Sequence, residues 1–236
     1  RHSFVSMIFA ALFLVIISAV IIVMFTLYAK FGPTVIGLYK DAKEIADASK
    51  EEDFKAAETS LIYDSDENLL QALKGEKDVY YIKINNIPEY AKNAMIGIED
   101  KKYYIHNGVD IKANLRAAIE LVRNNGIITQ GGSTITQQLA KNIYLTQKQS
   151  YERKIEEIFL AMQLEKIYSK DQILEYYLNN IYFGNGCYGI QAAANGYFDK
   201  SVNSLSLSQI AFLCGIPNNP NKNDPYVNIN ATLERR

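Results

Sequence analysis

The chain has 236 residues, 48% hydrophobic and 22% charged, with a formal net charge of −1. This is an ordinary globular composition, sufficient for one sizeable core domain and an appendage, and it lacks the global basic field that nucleic-acid binding requires. Two cysteines, Cys187 and Cys214, show no CxxC or Cys/His spacing, so neither a zinc site nor a disulfide scaffold is indicated and two buried, unpaired thiols are the default.

Residues 4–29 contain no charged side chain, and only Ser6, Ser18 and Thr26 interrupt a run of Val, Ile, Leu, Phe, Met and Ala. About 20 apolar residues cross a bilayer core. A cleaved signal peptide has a shorter apolar region, about 7 to 15 residues, ending at a small-x-small site, whereas this run is longer and ends at Tyr28-Ala29-Lys30. Residues 1–30 are therefore expected to be a retained transmembrane anchor. Arg1 and His2 before the span and Lys30 after it leave the positive-inside signal nearly balanced. Residues 31–59 are expected to form a helical stalk or linker, because from Asp41 to Thr59 Ala, Glu, Lys and Asp dominate without glycine or proline. Its charges are expected to be solvated. The remaining domain, residues 60–236, opens with the only β signal: Leu61-Ile62-Tyr63, a polar turn, Leu69 onward, and residues 79–84.

Pro88 suits the first turn of a helix that Ala91, Met95 and Ile98 carry to Glu99. Asp110 can cap the next, with Ile111, Leu115, Ala118 and Val122 on one side and Asn124-Asn125-Gly126 as its stop. The connection from Asn124 to Gly132, with Ile127-Ile128 inside it, is expected to be a mobile, membrane-facing flap. Residues 131–142 then read Gly-Gly-Ser-Thr-Ile-Thr-Gln-Gln-Leu-Ala-Lys-Asn. Ser133 takes the N-cap position, Ile135, Leu139 and Ile143 form the apolar stripe, and Thr134, Gln138 and Lys141 share a polar face. The free N–H groups at that helix start favour an anion; a plain solvated face is the alternative. Ser150 begins a helix with Ile155, Ile158, Phe159 and Met162 inward. Ser169 and Ser206 open capping boxes, Ile173, Tyr177 and Ile181 form a stripe, Asn185-Gly186 is a turn, a short helix runs through Gln191 to Tyr197, and Gly215 and Pro217 end the last helix. About seven helices against two or three short strands make the fold mainly α.

The dodecapeptide at 131–142 closely resembles the second motif of the peptidoglycan glycosyltransferases, the family of class A penicillin-binding proteins and monofunctional transglycosylases. Residues 99–108, Glu-Asp-Lys-Lys-Tyr-Tyr-Ile-His-Asn-Gly, resemble its first motif, with Tyr103 and Tyr104 where the family usually has Phe. Arg153-Lys154-Ile155-Glu156-Glu157 resembles the third, and residues 173–179 with Ile181-Tyr182-Phe183-Gly184 the fourth. The resemblance implies a lysozyme-like, two-lobed domain whose smaller lobe touches the membrane. It makes Glu99 the general base, with Asp100 and His106 orienting groups beside it. Lys141 and Arg153 face the donor's pyrophosphate, and Glu157 lies near that leaving group. Thr134, Gln138 and Asn142 hold sugar or phosphate oxygens, and Ser133, Asp100 and His106 are counted with the substrate-binding set. A divalent cation, Mg or Mn, is implied by the family alone, since no ligand cluster is evident in the sequence.

Read without the family, Glu99-Asp100 is an acidic pair of a kind common on surfaces. Arg153 and Glu157 are four apart, and an exposed pair in that order adds little. Glu175 is expected to be a structural partner for neighbouring helices. The function implied is polymerisation of lipid II, a lipid-linked disaccharide-pentapeptide, into glycan strands on the outer face of the cytoplasmic membrane. The implied partners are the lipid-linked strand, the membrane, a possible downstream transpeptidase domain and cell-wall synthesis proteins. A lytic enzyme acting on the same polymer and an inactive membrane scaffold are the rivals.

Overall fold

The computed structural model describes residues 2–55, 59–73, 78–123, 131–146, 148 and 150–235. Residues 124–130, most of the expected flap, lie outside them. The chain begins with α1, a single 47-residue helix, His2–Ala48, with Pro33 inside it. The sequence suggested a span and a separate stalk; the chain instead continues helical between them. α1 is long and apolar enough to cross a membrane, and its large side chains from Leu12 to Tyr28 are exposed.

The charged residues in the second half of α1, Lys40, Asp41, Lys43, Glu44 and Asp47, are exposed as expected, but the segment is not a free stalk. It lies along α5, Tyr151–Ile167, where Tyr39 meets the edge of Phe159 at 5.4 Å and Ala42 and Ala46 are fully buried. Alanine at those positions lets the two backbones approach, and only the outer side, with the Lys43–Asp47 pair, remains exposed. A 3₁₀ turn, Glu51–Phe54, then places Phe54 in an aromatic box. Its ring stacks on Tyr176 at 4.3 Å and meets the edges of Tyr144 and Tyr168.

Strands β1, Ser60–Tyr63, and β2, Leu69–Leu73, pair antiparallel around a turn in which Asp64 accepts from the Asp66 and Asn68 backbone amides. The expected strand over 79–84 shrinks to β3, Asp78–Val79, which pairs parallel with β4, Cys187–Tyr188, an element the sequence reading did not foresee. Side chains of α6, Lys170–Asn180, replace the missing strand partner. The Asn179 amide accepts from Ile82 N and donates to Ile82 O, both at 2.8 Å, and Glu175 accepts from Ile84 N and the Tyr81 hydroxyl. Glu175 is therefore structural, but its partners are the 81–84 segment and not the neighbouring helices expected.

The helices α2, Glu89–Glu99, α3, Ile111–Arg123, α4, Ile135–Tyr144, α7, Ile190–Phe198, α8, Leu207–Cys214, and a kinked α9, Pro225–Arg235, complete a mainly helical fold. α9 was not expected. The caps at Ser150, Ser169 and Ser206 are present as read. Helix α4 packs between α5 and α6, so Leu139, Leu160, Leu164, Ile173 and Tyr177 meet in the core.

Two inward faces differ from expectation. On α5 the fully buried residues are Leu160, Ala161 and Leu164, and Met162 is exposed; the helix is covered by α1 on one side and α4 on another, so no single stripe describes it. On α3, Ile111, Leu115 and Ile119 are exposed. Leu115 and Ile119 border an open groove of about 360 Å³, lined also by Lys112, Arg116, Glu120 and Arg123.

Candidate active site

Glu99 is the last residue of α2, and Asp100 leaves the helix in an extended conformation. The turn that follows ends at Gly108, whose φ is +87° and where a Cβ would come within 2.6 Å of Ala161 O. Only glycine fits there. The Gly108 carbonyl accepts the Thr134 hydroxyl. The turn is therefore held to α4, and Gly108 packs directly against α5.

Asp100 is buried and its Oδ2 lies 2.8 Å from His106 Nε2 and accepts from Ile135 N at 3.1 Å. A carboxylate at the first turn of α4 satisfies a free N–H and complements the helix dipole. Asp100 thus ties His106 to the start of α4. Tyr103 is fully buried and its hydroxyl donates to Lys170 O, while Tyr104 is exposed, so the first departure from Phe adds a structural bond and the second a surface hydroxyl.

The N-cap of α4 is Thr134 and not Ser133. Gln137 stands three residues after Thr134, so the two form a reciprocal capping box: Thr134 Oγ1 accepts from Gln137 N and Gln137 Oε1 accepts from Thr134 N, both at 3.1 Å. That Thr-x-x-Gln signal is legible at 134–137. Thr134 is nearly inaccessible and its hydroxyl donates to Gly108 O. Ser133 accepts from Lys154 Nζ at 2.7 Å. Gly132 lets this segment reach α3, since a Cβ there would meet Ala117 Cβ at 2.7 Å.

Two adjacent glutamines of α4 then separate the two glutamates. Gln138 Nε2 donates to Glu99 Oε2 at 2.9 Å, and Gln137 Nε2 donates to Glu157 Oε1 at 3.2 Å. Successive helix positions diverge by about 100°, so one helix holds the carboxylates on different sides. Glu157 is only 2% exposed. Arg153 Nη1 donates to its Oε2 at 2.7 Å and Lys154 Nζ to its Oε1. The Arg153–Glu157 pair is thus not an exposed surface pair but a buried one with a second cation. Lys141 lies within electrostatic reach of Glu157, Arg153 and Lys154, and burial pushes its ammonium pKa below the usual lysine value despite the opposing pull of Glu157.

The structure therefore brings Lys141, Arg153 and Glu157 into one cluster and sets Glu99 and Gln138 apart from it. Asn142 is partly exposed one turn beyond Gln138 on the same side of α4. Lys154 and Gln137 were missed. Lys154 had a signal, its i,i+3 spacing to Glu157; Gln137 also bonds Asn114 of α3, a contact no local pattern announces. Among the described residues no three His, Cys, Asp or Glu side chains converge as metal ligands. Both Glu157 oxygens are already bonded to protein donors. The residues here do not fit a protein-held divalent cation.

The site thus sets one carboxylate apart from a cluster of three cations and a buried acid, groups suited to exchanging a proton at one end and holding an anion at the other. The transglycosylase family model matches residues 66–236, and the chain belongs to that family, as a transglycosylase domain of the class A penicillin-binding protein type. It is 42% identical over 194 residues to penicillin-binding protein 1A of Aquifex aeolicus, covering 82% of this chain and 26% of that protein. It is 38% identical over 214 residues to penicillin-binding protein 4 of Bacillus subtilis, covering 87% and 34%. The chain thus spans about a quarter to a third of the length of these curated relatives. A crystal structure of penicillin-binding protein 1A from Haemophilus influenzae matches with a TM-score of 0.41 at 22% identity, over 76% of this chain and 17% of that one.

Proposed function

We propose that the domain polymerises lipid II by an inverting glycosyl transfer. Glu99 accepts the proton of the acceptor's sugar 4-hydroxyl as that oxygen attacks the anomeric carbon of the growing strand. The bond from that carbon to the lipid pyrophosphate breaks, and undecaprenyl pyrophosphate leaves. A single displacement inverts the carbon and needs no covalent enzyme intermediate. Lys141, Arg153 and Lys154 offset the charge on the departing diphosphate, with arginine able to engage two oxygens at once. Glu157 holds Arg153 and Lys154 in place. The reading places α1 across the cytoplasmic membrane with the domain on its outer face, beside lipid-linked substrate, and allows a transpeptidase domain to follow, in keeping with the names of the relatives.

The observation that carries this reading is the division of labour across α4: Gln138 turned to Glu99 and Gln137 to the cation-bound Glu157. Incubating the detergent-solubilised chain with lipid II tests it. Polymer is expected, and Glu99→Gln should lower turnover by roughly 10²-fold or more with little change in substrate binding. Short fragments released from finished wall, with no polymer from lipid II, would overturn it in favour of a lytic enzyme.

A further inference from the structure

Tyr177 has no task in the reaction just described. It sits on α6, fully buried in the core, and its hydroxyl donates to Gln138 Oε1 at 3.2 Å. The other end of the same amide, Nε2, donates to Glu99 Oε2 at 2.9 Å. An amide is nearly symmetric in shape but not in chemistry: one end only accepts and the other only donates. If it turned over, its oxygen would face a carboxylate oxygen, acceptor against acceptor. Both ends are satisfied only in the orientation observed, and the phenol locks it there. Burial and the nearby charge of Glu99 hold the Tyr177 hydroxyl protonated far above the usual tyrosine range, so the donor persists at any working pH.

We infer that Tyr177 is a positioning residue for Glu99, acting through the Gln138 amide to fix one carboxylate oxygen. Glu99 needs such a restraint. It is the terminal residue of α2, immediately before a turn, and a free glutamate side chain samples several rotamers. Fixing Oε2 leaves Oε1 in one direction, so the group that takes the proton is aimed before substrate arrives. The inference rests on Glu99 being the base.

The test is steady-state turnover of lipid II by the detergent-solubilised full chain and its variants. Tyr177→Phe removes one oxygen and keeps the ring, and it is expected to lower kcat about tenfold while KM for lipid II stays within about twofold. Gln138→Leu, at a half-buried position, is expected to show the same loss in kcat alone. Because Tyr177 acts only through that amide, the double variant should be no slower than Gln138→Leu. Thermal melts of each variant allow rates to be compared per folded molecule.

A Tyr177→Phe enzyme with wild-type kcat overturns the inference, as does a double variant slowed by the product of the two single losses. Should Tyr177→Phe fail to fold, Gln138→Leu decides: a raised KM with unchanged kcat would make Gln138 a substrate ligand and end the positioning role. Glu99→Gln separates this result from the reading beneath it. Turnover that survives Glu99→Gln removes the base itself; an inactive Glu99→Gln beside a wild-type-like Tyr177→Phe removes only the positioning.

Discussion

At the scale of single residues, the buried acid and the buried base of the cation cluster have opposite effects on stability. Glu157 is held by Arg153, Lys154 and Gln137. In Glu157→Gln an amide nitrogen must face donors, and a compensating charge is lost from a buried group. We expect a stability loss of about 2 to 4 kcal/mol, read by denaturant unfolding, together with loss of turnover. Lys141 is the reverse case. Its folded pKa lies below the unfolded value because of burial, so its protonated form is disfavoured by folding, and that penalty applies at lower pH and is relieved as pH rises through the folded pKa. Lys141→Met should therefore raise Tm by about 2 to 4 °C while abolishing binding of inorganic pyrophosphate. In the unaltered protein, pyrophosphate affinity should fall as pH rises through that lowered pKa, earlier than for an ordinary lysine; calorimetric titration checks both. Glu99, Lys141, Arg153 and Glu157 were singled out by their likeness to the family's motifs, since spacing alone read as a solvated helix face, a surface acidic pair and an exposed ion pair. Tyr177 and Gln137 were legible only as core and helix residues, since their functional partners lie on other helices, far along the chain.

At the scale of elements, the caps were readable and the faces were not. Ser150, Ser169 and Ser206 each bond an amide three residues on, a local event that sequence encodes directly. Which side of α3 or α5 is covered depends on what arrives from elsewhere: α1 covers part of α5, and Ile111, Leu115 and Ile119 of α3 stay exposed. The strand expected at 79–84 was lost for the same reason, its partner being an asparagine side chain. The turn between α2 and α3 makes the sharpest element-level prediction. Gly108→Ala combines a left-handed φ with a 2.6 Å approach to Ala161 O, so either α5 or the turn must move. A loss of about 3 kcal/mol or more is expected, and because the Gly108 carbonyl anchors Thr134, the cost should appear in turnover per folded molecule as well as in the melt. An alanine variant with wild-type Tm would contradict this packing.

At the scale of the whole molecule, the chain divides at a different place from the one its composition suggests. Among the described side chains, those of residues 12–29 are exposed, so deleting residues 1–29 should leave the domain folded with unchanged Tm and lower activity mainly on long-chain lipid substrate. Deleting residues 1–48 also strips Tyr39, Ala42 and Ala46 from α5, and Tm should fall by about 5 °C or more. That α1 is one helix from its apolar end to its seat on α5 has a mechanical consequence. Under the proposed orientation, the angle at which the site faces the bilayer is a matter of helical phase, fixed as a crank is fixed to its shaft. Each residue inserted between 34 and 38 turns the domain about 100° around the axis and lifts it about 1.5 Å. Turnover in lipid vesicles should therefore rise and fall with insertion length, poorest near two residues and recovering near four and seven, where the phase nearly returns. A smooth decline with length would instead describe a flexible tether.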